Sequence, residues 1–134
     1  MGAPNISKDI ADYLTATVGL SNVFYEALPP TPINAYAVVT YAGKNYKTHG
    51  GGNAGGAGVA FDIAYLQIQA RHSSNQTAKE NIIAVVNALD GLGDVTINGV
   101  VYHYIEESSC PRLFAKQSDG STIFIWECYV QALR

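Results

Sequence analysis

Val59-Ala60-Phe61-Asp62-Ile63-Ala64-Tyr65-Leu66-Gln67-Ile68-Gln69-Ala70-Arg71 alternates its side chains with the period of a β-strand. Phe61, Ile63 and Tyr65 fall on one face, and Asp62, Ala64, Leu66 and Ile68 on the other. Large apolar groups on both faces mean that both are partly covered, so the reading is a long strand at the centre of a sheet. The next element is helical. Ser73-Ser74-Asn75-Gln76 has the Ser-x-x-Gln form of a capping box, and Ala78, Ile82, Val85, Val86 and Leu89 recur at helical spacing until Gly91 stops the run. A strand leading into a helix that buries one stripe is the nucleus of the fold, and the remaining elements are read against it.

Downstream, Val95-Thr96-Ile97 and the alternating run Val100 to Glu107 flank Asn98-Gly99, the pair that a two-residue type I′ turn demands because both central residues need positive φ. A second hairpin is predicted from Arg112 to Gln117 and Thr122 to Leu133, around Ser118-Asp119-Gly120-Ser121. In its long last strand, Phe124, Trp126, Cys128 and Val130 share one face, with Ile123, Ile125 and Tyr129 on the other. Upstream, Ile6, Ile10, Tyr13, Leu14, Thr17 and Val18 predict a helix from Ile6 to Val18, capped by Asn5 or Ser7 and ended by a left-handed Gly19. Asn22 to Leu28 reads as a short strand. Pro29-Pro30-Thr31-Pro32 is a stiff connector, since proline cannot donate to a ladder. Ala35 to Ala42 is the next strand.

Gly43 to Gly58 is the most biased segment, with seven glycines in sixteen residues and Tyr46 its one large apolar side chain. Gly has the most backbone freedom to lose, so the expectation is a loop that is mobile in the free protein, residues 43–58, beside a short N-terminal arm, residues 1–5. The order of elements gives an α+β fold: an antiparallel or mixed β-sheet with two helices packed on one face, in a single domain spanning residues 1–134.

A chain of 134 residues is long enough for one core. No apolar run approaches the roughly 20 residues that cross a bilayer. Lys and Arg number 8 against 11 Asp and Glu, a net charge of −3, which leaves no basic surface for a phosphate backbone, so neither direct nucleic-acid nor membrane binding is expected. Charged residues are only 14%, and nine tyrosines are present, so this surface loses little hydration when it packs on a neighbour. Cys110 and Cys128 have neither a disulfide framework nor a CxxC spacing around them and are read as reduced and inert. The N-terminus shows no basic region leading into an apolar segment, so cytoplasmic synthesis is expected.

Catalytic patterns are sparse. The glycines of 43–58 lead into a strand at Gly58, whereas phosphate-binding loops open a helix. His49, His72 and His103 have no paired spacing for a metal, and Glu106 and Glu107 point to opposite faces of one strand. Two alternatives stay open: a ferredoxin-like module that binds a small ligand or peptide on its sheet, and a small enzyme using Glu106 or Glu107 with His103. No cofactor is called for.

Several short motifs stand in a recognisable order. The helix from Ile6 to Val18 leads to Ala27-Leu28-Pro29-Pro30-Thr31-Pro32 and Ala35-Tyr36-Ala37-Val38-Val39. Tyr65-Leu66-Gln67-Ile68-Gln69-Ala70-Arg71 then precedes a helix of alanines and small apolar residues. Leu89-Asp90-Gly91-Leu92, Thr96-Ile97-Asn98-Gly99-Val100-Val101-Tyr102 and a closing hairpin around Pro111 and Leu113 to Phe124 complete the order. In this the chain resembles the minor capsid or tail terminator proteins, also called tail-to-head joining proteins, of long-tailed bacteriophages. The Gly43 to Gly58 segment departs from that family in its length and glycine content. The resemblance implies a non-enzymatic structural virion protein, made in the host cytoplasm, that closes into a homohexameric ring. That ring would cap the tail tube and meet the head completion or connector protein. Candidate contact residues for such a ring are Lys44, Tyr46, Lys47, His49, Gly51, Asn53, Gly56 and Arg71.

Overall fold

The computed structural model describes residues 5–47 and 60–133. The first helix, α1 (Ile6–Tyr13), continues into a π-helical turn over Leu14–Val18 and stops at Gly19, whose φ of 88° is the left-handed cap expected there. Asn5 is its N-cap: the side-chain oxygen accepts the Lys8 amide at 3.3 Å. The predicted Asn22 to Leu28 strand shrinks to β1 (Val23–Tyr25), because Glu26 turns the chain at φ 72°. Next come β2 (Ala35–Lys47), β3 (Ala60–His72), α2 (Asn75–Leu89), β4 (Gly93–Ile97), β5 (Val100–Lys116) and β6 (Thr122–Leu133).

The six strands form one sheet in the order β1-β2-β3-β6-β5-β4, with β1 parallel to β2 and every other pair antiparallel. The strand read as central is central: β3 is flanked by β2 and β6. Its even-numbered residues Ala64, Leu66, Ile68 and Ala70 join Val38 of β2 and Trp126, Cys128, Val130 and Ala132 of β6 in one core. Ile6 and Ile10 of α1, Leu14 of the turn that continues it, and Ile82, Val85 and Leu89 of α2 close the same core, so both helices lie on one face and the α+β expectation is met. The two largest buried side chains keep their polar ends satisfied. Trp126 Nε1 donates to Glu107 Oε1 at 2.8 Å, and the Tyr102 hydroxyl donates to Asp9 Oδ2, whose other oxygen accepts from Asn98 at 2.9 Å.

Three local expectations need correction. Ser74, one residue later than expected, caps α2 by accepting the Thr77 amide at 3.2 Å. Ser73 is engaged elsewhere, its amide donating to Asn34 Oδ1 at 3.1 Å, and Gln76 donates forward to Glu80 instead of back to a cap. The strands predicted at Val100–Glu107 and Arg112–Gln117 are one strand, β5, because register shifts on either side of Ser109 take up the extra residues around Pro111 without ending the ladder with β6. Finally, β2 runs past Ala42 to Lys47, so residues 43–47 of the expected loop are strand, paired in register with Ala60 to Ala64 of β3. Backbone partners on β3 outweigh the weak strand preference of Gly, Lys and Asn. The rest of the glycine-rich segment, 48–58, together with Val59 of the expected strand and residues 1–4 of the arm, lies outside the described residues.

Gly43 has a steric reason to be glycine. A Cβ there would stand 2.8 Å from the carbonyl oxygen of Ile63, just past the bulge at Tyr41. Gly43→Ala therefore forces the β2–β3 ladder apart and lowers stability by about 1–3 kcal/mol. The check is the urea midpoint at constant slope; an unmoved midpoint would contradict the close approach.

Candidate assembly surface

Alternation along β3 that puts Leu66 and Ile68 under the helices puts Ile63, Tyr65, Gln67, Gln69 and Arg71 on the opposite face of the sheet. Among the described residues no helix covers that face. At one end it carries a segment of the chain's own. Arg71 is 5% exposed, and its guanidinium donates to the carbonyls of Ile33 at 2.8 Å, Pro32 at 3.0 Å and Pro29. The proline connector is thereby held across this end, where Ala35, Ala37, Ile123 and Ile125 are also buried. For Arg71, a candidate contact residue by sequence, the structure places the charge inside the fold, on three backbone oxygens of the connector.

Toward the other end the face is open and aromatic. Tyr41, Tyr65, Tyr129 and Tyr104, from β2, β3, β6 and β5, form a row across four strands, with successive ring centroids 6.1, 5.4 and 5.5 Å apart. The His103 ring extends the row, 5.7 Å from Tyr104. Tyr41 is 50% and Tyr65 36% exposed; alternation from Ala37 and Val39 puts Tyr41 on this side, and the bulge between Thr40 and Ala42 reverses the alternation beyond it, so that Ala42 is the residue opposite Tyr65. Beside the tyrosines runs a polar row. Gln69 donates to Gln67 at 2.8 Å and Gln67 to Glu127 at 3.4 Å, while Arg112 bridges Glu127 at 3.0 Å and Ser109 at 2.7 Å. A broad aromatic surface whose Arg112 and Glu127 are paired with each other suits contact with a protein surface, since aromatic rings and Arg are what interfaces enrich.

The other expected residues are scattered. Lys44, Tyr46 and Lys47 stand on β2, opposite Ile63, Phe61 and Ala60 of β3. His49, Gly51, Asn53 and Gly56 lie outside the described residues. The groups considered for catalysis do not converge. His103 pairs with Asp94 at 3.0 Å, both exposed; Glu107 takes the Trp126 N–H, and its own amide donates to Asp90 at 2.9 Å. Among the described residues no cluster of three His, Cys, Asp or Glu has metal-binding geometry. The clefts are open and shallow; one of about 500 Å³, lined in part by Asn22, Asn34, Asp119 and Ser121, has its Asp119 carboxylate already accepting from the Ser121 amide at 2.9 Å and hydroxyl at 2.6 Å. Those bonds hold the Asp119 carboxyl below its ordinary range.

The tyrosine row is not evident from sequence. Its signal lies in the odd-numbered aromatic positions Tyr65 and Tyr129, which alternation sets apart from the apolar face, but only the strand order β2-β3-β6-β5 brings them together.

No protein-family model matches the chain, and no curated protein is similar to it in sequence. Among solved structures, the fold is similar to that of a chain in the virion of a native gene transfer agent particle. That similarity covers 90% of this chain and 84% of the other, with a TM-score of 0.51 and 16% sequence identity.

Proposed function

We propose that the protein is a structural component of a phage or phage-like virion, one that closes into a ring capping the tail tube and joining it to the head connector. The observation that carries the reading is the likeness of fold, over nine-tenths of the chain, to a chain of a virion particle. The tyrosine face supports it: a domain whose open surface is a pre-ordered aromatic sheet binds other proteins through shape and burial. Ring closure requires head-to-tail contact between different patches of identical copies. The partners are then further copies of the chain, six in the ring by the resemblance, together with the tube protein on one side and the connector on the other.

The test is electron microscopy of tails assembled with and without the protein. Without it, tails vary in length and carry no head; with it, they end at a defined length in a cap. Tails of normal length joined to heads in its absence would overturn the reading. So would turnover of a small molecule by the isolated chain that is lost on changing His103, Glu106 or Glu107 alone.

A further inference from the structure

Charge is divided across the sheet. From Ala27 to Phe61 the chain carries Lys44 and Lys47 and no Asp or Glu. From Glu80 to Pro111 it carries Glu80, Asp90, Asp94, Glu106 and Glu107 and neither Lys nor Arg. Topology sets part of each stretch, Val39 to Lys47 of β2 and Gly93 to Ile97 of β4, at opposite lateral edges. On one side, β1 pairs only with Tyr36 to Val38, so among the described residues β2 from Val39 to Lys47 has a strand neighbour on its β3 side alone. On the other side stand β4, with Asp94 paired to His103, and the part of β5 just past it, with Glu106 and Glu107, and Asp90 caps α2 close by; all four carboxyl residues are exposed. The carboxyl group nearest to the basic edge in register, Asp62 of β3 opposite Asn45, is buried at 3% exposure, and Glu26 accepts from Ser7 and from Thr40.

The two edges are also level. Reading across the ladders, Lys44 is opposite Ile63, Ile63 opposite Gln131, Gln131 opposite Tyr104 and Tyr104 opposite Gly93, the neighbour of Asp94. The next row on the same face, two residues along, runs from Ala42 through Tyr65 and Tyr129 to Glu106. The row from Lys44 ends beside Asp94, and the row that ends at Glu106 begins two residues before Lys44, so the basic and acidic groups lie about 20 Å apart across the sheet and within about two residues of the same height along the strands. A second copy placed beside the first, without sliding along the strand direction, sets its acidic edge against the first copy's basic edge. Repeating that step by rotation closes a ring, whereas an offset along the strands would wind an open helix.

Resting on the ring reading, we infer that the subunit contact is this pairing of edges: the Lys44–Lys47 edge of one copy against the Asp94–Glu106 edge of the next. The charges orient the encounter and set the register, and like-charged edges exclude the reverse, edge-to-same-edge arrangement. The tyrosine face, lying between the two edges, stays free for the tube or the connector.

The experiment uses the full-length chain, free and on purified tails, at about 50 mM salt, where surface charges are least screened. A zero-length carbodiimide cross-link on mixed light and heavy isotope-labelled protein is expected between Lys44 or Lys47 of one copy and Asp94 or Glu106 of another. The variant K44E/K47E is expected to form rings at least tenfold less readily, with an unchanged circular-dichroism spectrum and melting temperature. Adding Glu106→Lys to that variant is expected to restore at least threefold of the loss. Rings and tail caps formed equally well by the wild type and by K44E/K47E would overturn the edge pairing and leave the ring reading standing. A wild-type chain that forms no closed oligomer in solution and is absent from tail ends would overturn both.

Discussion

Arg71→Met is expected to lower the unfolding free energy by about 3–5 kcal/mol, far more than a surface arginine is worth. The side chain is buried, and its three hydrogen bonds go to the carbonyls of Pro29, Pro32 and Ile33. None of the three acceptors belongs to a strand or helix. Removing the guanidinium leaves their oxygens to find water or stay unpaired, and each unpaired buried group costs roughly 1–3 kcal/mol. Methionine preserves most of the apolar stem, so the loss isolates the hydrogen bonds. Arg71→Lys should fall between, near 1–2 kcal/mol, since one ammonium cannot present the planar fork that serves three carbonyls at once. Urea denaturation measures both. Limited proteolysis should in addition cut the Met variant between residues 27 and 34 while the wild type resists. A loss under about 1 kcal/mol for the Met variant would mean that the connector is held by its own packing.

That result also bears on what a sequence shows and what it hides. Arg71 reads as a surface charge at the end of a strand, because nothing local says that a proline connector some forty residues upstream folds back over it. The legible features are those whose cause is local. Gly19 stops α1 in the left-handed region. Asn98 and Gly99 adopt φ of 51° and 79°, as a type I′ turn requires, and the alternation of β3 sorts its two faces. The hidden features are set by partners distant in the chain. β2 extends through Gly43 to Lys47 because β3 offers it a ladder. β5 survives Pro111 because β6 holds it on both sides of the bulge. The cap of α2 moves from Ser73 to Ser74 because Asn34 takes the Ser73 amide. The candidate site obeys the same rule. Its tyrosines are visible one strand at a time, but a row of four exists only once strand order and register are known. The edge charges are plain in the sequence, whereas their level placement is a property of the sheet.

Above about pH 10 the protein is expected to lose stability steeply, by about 2.8 kcal/mol for each further pH unit. Two buried acids are responsible. Burial pushes the Cys128 thiol far above its ordinary 9.0. Burial, reinforced by the hydrogen bond to Asp9 and by Asp9's charge, pushes the Tyr102 hydroxyl far above its ordinary 10.0. Both are acids whose folded pKa is raised, so the folded chain keeps protons that the unfolded chain releases. Their contribution is complete below about pH 9, begins to fall as Cys128 ionises in the unfolded chain, and falls twice as fast once Tyr102 does so as well. Each group contributes about 1.4 kcal/mol per pH unit, the free energy of one proton over a tenfold change in activity. From about pH 9 to pH 12 the sum is roughly 7 kcal/mol, comparable with the whole stability of an ordinary domain, so unfolding near pH 12 is expected. Half-buried Tyr36, also raised by burial, adds to the steepness. Denaturant titrations at successive pH values separate the contributions. Tyr102→Phe lowers stability at neutral pH, where Asp9 loses a donor, yet it should cut the alkaline slope by about 1.4 kcal/mol per pH unit. Cys128→Ala should cut it by the same amount, beginning about one pH unit lower. The offset reports packing and hydrogen bonding, and the slope reports the buried proton. A slope above about pH 10 that neither substitution changes would mean that these groups ionise without unfolding, and that the core around Trp126 and Tyr102 is open to hydroxide.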